Sequence, residues 1–184
     1  MKKSIIAALL MAGSTGAMAA ENGGYVGVGL GSSSATSKDA STGYSYTATS
    51  SGTTTRVFGG VRSGNFAVEG EYIDLRTFSL AIASFSASGF GVSAVGFLPL
   101  APEFSFYGKV GLADITTDAT PARGSLLVPG SQSKVGVSLG LGAQFEVNQH
   151  IALRVSLDSY ADSALAGNLT GRVGVLGLSG MFKF

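Results

Sequence analysis

Apolar residues alternate with small or polar residues along most of the chain, with a period of two. This spacing is typical of a β-strand, in which successive side chains point to opposite faces. The pattern is clearest where every second residue from Val135 to Val147 is apolar. Eight alternating segments are predicted as strands: Gly24–Gly31, Thr53–Arg62, Asn65–Leu75, Ser86–Leu98, Phe104–Ile115, Lys134–Val147, Ile151–Tyr160 and Leu169–Phe184.

The connections between these segments alternate between short and long. The short ones are 63–64, 99–103 and 148–150, and the long ones are 32–52, 76–85, 116–133 and 161–168. Short periplasmic turns, longer external loops and an even number of strands are typical of outer-membrane barrels. The sequence therefore predicts an all-β fold, an eight-stranded antiparallel up-and-down transmembrane β-barrel.

The aromatic residues favour the same arrangement. Five phenylalanines lie on the apolar face beside a short turn or at the carboxy-terminus: Phe66, Phe104, Phe145, Phe182 and Phe184. Their common position predicts a ring at one membrane interface. Tyr72 and Phe90 are candidates for a sparser ring at the other interface.

Alternation alone does not say which face is outside, because a soluble ligand-binding barrel alternates with the faces reversed. Charged residues make up only 12% of this chain, against about 25% in ordinary soluble domains. The polar faces are mostly glycine, serine and alanine, which suit a crowded lumen better than a hydrated wall. The predicted interior positions include Gly27, Gly29, Arg56, Phe58, Glu69, Glu71, Ser93, Tyr107, Lys109, Ser138, Gln144, Glu146, Arg154, Ser156 and Asp158.

The first 19 residues have the pattern of a secretory signal peptide. Two lysines precede the apolar run Ile5–Met11, and Ala17-Met18-Ala19 is an A-x-A cleavage site. We expect cleavage before Ala20, which leaves residues 20–184 as the barrel domain. Loss of the two lysines changes the formal net charge from +1 to −1.

The whole of residues 20–184 resembles a known family of small barrels, and two stretches carry the resemblance. Val92–Leu100 followed by Phe104–Gly111 is similar to the fourth and fifth strands of the OmpA-like transmembrane domain family, which includes OmpX-type and opacity-type proteins. The ending Phe182-Lys183-Phe184 resembles that family's closing signal. The resemblance implies that Phe182 and Phe184 are read by the barrel-assembly machinery during insertion.

The charged residues of the interior faces predict an ion-pair network inside the barrel. If Ser63-Gly64 is a two-residue hairpin turn, the register places Arg56 opposite Glu71 and Phe58 opposite Glu69. Buried charges must be paired, because an isolated one is costly. The predicted structural network consists of Arg56, Glu69, Glu71, Lys109, Arg154 and Asp158. The two glutamates are also candidates for acid–base chemistry, a less favoured interpretation. A filled, ion-paired lumen should conduct poorly.

Other candidate chemistry is weak. His150 is the only histidine, and it lies in a predicted periplasmic turn. Barrel enzymes that modify lipid A use a histidine with serine or aspartate near the outer leaflet, so that resemblance fails here. A lone histidine also lacks the partners of a metal site. The run from Gly27 to Gly31 belongs to a strand and does not fit a dinucleotide fingerprint. We predict no catalytic residues, no cofactor and no metal.

The predicted function is that of a monomeric outer-membrane scaffold presenting four external loops, with an envelope structural or adhesion role. A narrow pore for small solutes, a lipid-modifying enzyme and a soluble ligand-binding barrel stay open as alternatives. Expected partners are outer-membrane lipids and a surface or host ligand, but no nucleic acid, since there is no clustered basic face. Five external cations could hold lipopolysaccharide phosphates, although nearby aspartates favour an ordinary solvated rim: Lys38, Arg76, Arg123, Lys134 and Arg172.

Overall fold

The structure is a computed structural model that describes residues 22–39, 45–80, 83–121, 130–165 and 169–184. The predicted signal peptide and its cleavage site lie outside the described residues. None of the described segments forms a helix that is long and apolar enough to cross a membrane.

Eight antiparallel strands form one closed barrel, in which each strand pairs with its neighbours in sequence and the first pairs with the last. This confirms the predicted fold class. The strands are β1 Asn22–Asp39, β2 Ser45–Ser63, β3 Phe66–Leu80, β4 Ala83–Ala101, β5 Phe104–Pro121, β6 Gly130–Glu146, β7 Ile151–Leu165 and β8 Leu169–Lys183.

The strand registers fix the width of the barrel. The line of paired residues that begins at Tyr25 runs once around the barrel and meets β1 again at Ala35, ten residues further along the strand. The path runs through Tyr25, Gly60, Glu69, Ser93, Gly111, Ser138, Tyr160, Val173 and Ala35. With ordinary strand spacings, this stagger gives a tilt of about 40° and a backbone radius of about 8 Å. Side chains can fill a lumen of that width.

Burial follows the predicted parity on every strand. Leu30, Val92 and Leu157 are each 62% exposed, whereas Phe58 and Ser138 are fully buried. The apolar face is therefore the outer surface and the mixed face is the interior. A belt of exposed valine, leucine and phenylalanine around the whole barrel excludes the soluble alternative, because such a wall needs lipid around it.

The strands are longer than predicted at the end away from the short turns. Segments 32–39, 45–52, 76–80, 83–85, 116–121, 130–133 and 161–165 were expected in loops and are strand. The prediction was wrong because it ended each strand where the apolar face ends. Hydrogen bonds between strands do not depend on apolar side chains, and threonine, common in β2, favours extended backbone. The hairpins consequently continue beyond the apolar band.

The first turn is also displaced by one residue from its predicted place. Gly64 and Asn65 form the turn, and Ser63 pairs with Phe66. Gly64 has a φ of 58°, which glycine adopts without the steric penalty of a Cβ. Glu71 therefore pairs with Phe58, and Arg56 pairs with Ile73, contrary to the predicted register. Because the turn moves by one residue, each residue of β2 changes its partner on β3 by two positions. A change of two positions keeps every side chain on its predicted face.

Candidate functional site: the barrel interior

The interior is filled by three layers of side chains. The layer nearest the short turns is mainly aromatic, and its rings pack at 6.4 Å between Tyr25 and Phe58 and at 6.0 Å between Phe97 and Tyr107. Its buried members are Tyr25, Phe58, Ala67, Val95, Phe97, Tyr107, Ala152 and Met181. Large side chains thus close the lumen at the short-turn end.

The middle layer contains a ring of four charges. Arg56 lies 2.8 Å from Asp158 and 3.7 Å from Glu71, and Lys109 lies 2.9 Å from Glu71 and 3.1 Å from Asp158. Each cation therefore contacts both anions. All four side chains are at least 93% buried. The ring has no net charge, which is the condition for keeping ions in a site that excludes water.

Hydroxyl groups complete this ring. Arg56 donates to Ser156 and to Ser179, both at 3.1 Å, and the hydroxyl of Tyr160 donates to Glu71 at 3.0 Å. Asp158 Oδ1 accepts no aligned hydrogen bond and depends on the nearby Lys109 ammonium. The network therefore joins five strands, which hold the interior as one unit.

A second ion pair lies between the ring of four charges and the short turns. Arg154 donates to Glu69 at 2.6 Å and to Gln144 Oε1 at 2.9 and 3.2 Å, and the Tyr25 hydroxyl donates to Glu69 at 2.9 Å. The Arg154 guanidinium also lies over four aromatic rings, at 4.6 Å from Tyr107 and 5.0–5.9 Å from the others. Both hydrogen bonding and cation–π attraction hold this cation in place.

The third layer, towards the external end, is aliphatic apart from one tyrosine. Its buried members are Ile73, Leu75, Ala113, Ile115, Tyr160, Val173 and Val175. Apolar side chains thus lie on both sides of the charged layer. An ion crossing this lumen would have to leave water and pass through two apolar layers.

All six residues of the predicted network lie together in this interior, although through a different register. Arg56 and Glu71 do not pair directly, but they are diagonal neighbours on the adjacent strands β2 and β3, and their side chains meet at 3.7 Å. Arg154 and Glu69 come from β7 and β3, on opposite sides of the barrel. The prediction from sequence placed Phe58 and Tyr107 of the aromatic layer inside the barrel but did not include the two apolar layers. Their signal was available, since residues such as Ile73, Ile115 and Val175 have the interior parity of their strands.

The two phenylalanines of the predicted closing signal and the single histidine of the chain lie at the short-turn end. Phe182 is exposed, pairs with Val26 and Ile151, and stacks on His150 with 5.9 Å between ring centroids. Phe184 exchanges two backbone hydrogen bonds with Gly24, at 3.0 and 3.1 Å. The two phenylalanines stack on each other at 6.5 Å. His150 is thus a turn residue against an aromatic surface.

The described residues contain no group of three or more histidine, cysteine, aspartate or glutamate side chains placed to hold a metal. The buried carboxylates of Glu69, Glu71 and Asp158 are occupied by cations and hydroxyls. The geometry supports packing and closure of the lumen as the chemistry of this site.

Several solved structures share the fold at low sequence identity. Neisserial surface protein A is 16% identical with a TM-score of 0.68, and the alignment covers 88% of this chain and 97% of that one. OprG from Pseudomonas aeruginosa is 16% identical, with a TM-score of 0.61 and coverage of 89% and 97%. Ail from Yersinia pestis is 17% identical, with a TM-score of 0.57 and coverage of 88% and 99%.

Sequence comparison gives a clear assignment of family. None of the curated proteins matches significantly. Residues 5–182, however, match the family described as the outer membrane protein beta-barrel domain. This match confirms the resemblance noted in the sequence and agrees with the exposed apolar belt. The chain belongs to the outer membrane protein beta-barrel family and lies in the bacterial outer membrane as a membrane barrel scaffold.

Proposed function

We propose that this protein is a closed, non-conducting scaffold that holds its four external hairpins outside the cell, for adhesion or for support of the envelope. The observation that carries this proposal is the packed lumen. A neutral ring of buried charges lies between two apolar layers, and this arrangement favours rigidity over passage of solutes. We propose no enzymatic activity.

The length of the strands supports a presenting role. Each residue of a strand tilted by about 40° adds roughly 2.5 Å of height. The segment 32–39 of β1 follows the last large apolar residue, Leu30, and raises the first hairpin about 20 Å above the apolar band. Partner strands accompany it, since β1 pairs with β8 up to Asp39 and Leu169.

The external part divides into two sheets, which also favours presentation. Within the described strands, pairing of β2 with β3 ends at Thr54 and Leu75, and pairing of β6 with β7 ends at Ser138 and Tyr160. β7, β8, β1 and β2 form one sheet and β3 to β6 form the other. Two separate sheets offer surfaces and edges that a closed cylinder would not.

A binding screen tests the presenting role. Cells expressing the full chain would be compared with cells in which residues 36–47 or 119–130 are replaced by a Gly-Asn turn. We expect binding to host cells or surface glycans to fall with at least one replacement. Sucrose octasulfate is a suitable probe, because the structural neighbour Ail is described in complex with this heparin analogue. Equal behaviour of all three strains would refute an adhesion role and leave envelope support, which outer-membrane permeability assays would measure.

Conductance in planar bilayers tests closure of the lumen. The unmutated protein should show no large, stable conductance. Glu71→Ala should increase the frequency of openings, because it leaves Lys109 and Arg56 with one anion fewer, whereas the lipid-facing Leu139→Ala should not. A large steady conductance of the unmutated chain would contradict the proposal and favour a narrow pore.

We also propose export through a cleaved signal peptide. Amino-terminal sequencing of the protein from outer membranes should then begin at Ala20. A first residue before Ala17 would refute the proposed cleavage site.

A further inference from the structure

The lipid-facing wall of the barrel has a recess where small residues stand in place of the valine and leucine that cover much of the wall. It has a volume of about 860 Å³ and an almost entirely apolar lining. Gly96 of β4 and Gly108 of β5 pair directly and form its floor. Val68 of β3 and Leu141 of β6 line the two sides.

Packing inside the protein does not require these two glycines. A Cβ at the interior Gly27 would lie 2.4 Å from the Phe58 ring, and one at Gly142 would lie 2.3 Å from the Val155 carbonyl oxygen. A Cβ at Gly96 would meet nothing within 4 Å, and one at Gly108 would make only ordinary contacts, at 3.5 Å from Leu141 and 3.9 Å from the Gly140 carbonyl oxygen. Glycine weakens a strand interior, so its presence at an open position calls for another cause.

A projecting side chain stands beside the recess on the same wall. Phe66 is 73% exposed, the highest value among the large apolar side chains of the described residues. It pairs directly with Gly96, so the projection and the floor of the recess are on adjacent strands at nearly the same depth. A projection and a recess side by side on one face are the requirement for a self-complementary, two-fold contact.

We propose that two copies of this chain associate in the membrane through this wall, with Phe66 of each copy inserted over Gly96 and Gly108 of the other. Small residues let two backbones approach closely, and in lipid such packing supplies the attraction that the hydrophobic effect cannot. Acyl chains are a poorer explanation, because fluid chains cover a wall of valine and leucine equally well. The dimer differs from the monomer expected from the sequence.

Sedimentation equilibrium or energy-transfer dilution of the full mature chain in phospholipid vesicles tests this contact. Gly96→Leu fills the recess, and Gly180→Leu is the matched control, since Gly180 faces outward on β8 and its Cβ would also meet nothing within 4 Å. We expect the unmutated chain and Gly180→Leu to dimerise equally. Gly96→Leu and Phe66→Ala should each raise the dimer dissociation constant by about tenfold or more.

Folding of each variant is checked by heat-modifiable gel mobility, so that a loss of association is not confused with a loss of structure. A second measurement uses the absence of cysteine from the chain. Co-expressed Phe66→Cys and Gly108→Cys chains should form a cross-linked pair in native membranes, whereas Phe66→Cys with Gly180→Cys should not. An unmutated chain that stays monomeric at all protein-to-lipid ratios, or a Gly96→Leu chain that dimerises like the unmutated one, would overturn the proposal. So would a monomer that retains a tightly bound phospholipid in the recess.

Discussion

Replacement of Arg154 by methionine should destabilise the barrel more than any single change on its outer wall. The substitution leaves the Glu69 carboxylate, 2% exposed, with the Tyr25 hydroxyl as its remaining hydrogen-bond donor, and it removes both donors to Gln144 Oε1. Removing one partner of a buried ion pair costs about 3–5 kcal/mol, mostly because the other charge stays buried alone. Contacts between the new thioether and the surrounding aromatic rings offset part of that loss.

The double variant Arg154→Met, Glu69→Met separates the unpaired charge from the loss of packing. Four aromatic rings surround the site and can pack against two apolar side chains. We therefore expect the double variant to be more stable than Arg154→Met alone, by about 1–2 kcal/mol, because no charge is left without a partner.

Urea titrations in phospholipid vesicles, approached from both the folded and the unfolded side, measure these differences. Because the chain contains no tryptophan, gel mobility and circular dichroism are suitable signals. Leu139→Met on the lipid-facing wall is the control and should change stability by less than about 1 kcal/mol. The reasoning is refuted if Arg154→Met is equally mild, or if the losses of the two single variants simply add in the double variant.

Three further outcomes follow from the same structure. Gly142→Ala should lower the unfolding midpoint, since its Cβ would lie 2.3 Å from a backbone oxygen, whereas Gly180→Ala should leave it unchanged or raise it slightly; urea titration checks both. A spin label on Leu139→Cys should be relaxed by lipid-borne quenchers, whereas Ser138→Cys should resist labelling in the folded protein. Glu146→Gln should loosen the carboxy-terminal strand, because Lys183 donates to Glu146, and faster amide exchange at Lys183 would report it.

The faces of the strands could be predicted because they depend only on a period of two within each segment. Once Leu139 is assigned to the outer wall, every residue an even number of positions away on β6 follows, whatever its partners are. The same reasoning would have found the two apolar layers of the lumen. Ile73 and Leu75 lie on the same side of β3 as Glu71, so the period of two places them inside the barrel as well.

Strand ends and register depend on backbone geometry that side-chain patterns record weakly. The Gly64-Asn65 dipeptide is itself a hairpin signal and would have corrected the first turn. The external ends carry no comparable signal, because Ser and Thr residues suit both a solvated strand and a loop. The contact between Glu69 and Arg154 depends on the stagger of the whole barrel, and hence on all eight registers together.

The need to fix the register of each strand also explains why a barrel surrounded by lipid keeps six charges inside. If the interior were wholly apolar, a strand that slipped by one residue would turn its inner face to the lipid and its outer face to the lumen. The cost in free energy would be small, because lipid accepts either apolar face. With Arg56, Lys109 and Arg154 in place, the same slip would turn three cations into the hydrocarbon, at roughly 2–4 kcal/mol each near the midplane. Their carboxylate partners would lose their pairing as well.

The charges therefore specify which face of β2, β3, β5 and β7 lies inside, and pairing then fixes the strands between them. On this argument, the network contributes more to the choice of one structure than to the stability of that structure. Replacing all six residues by apolar ones should accordingly leave a compact barrel with slipped or mixed registers.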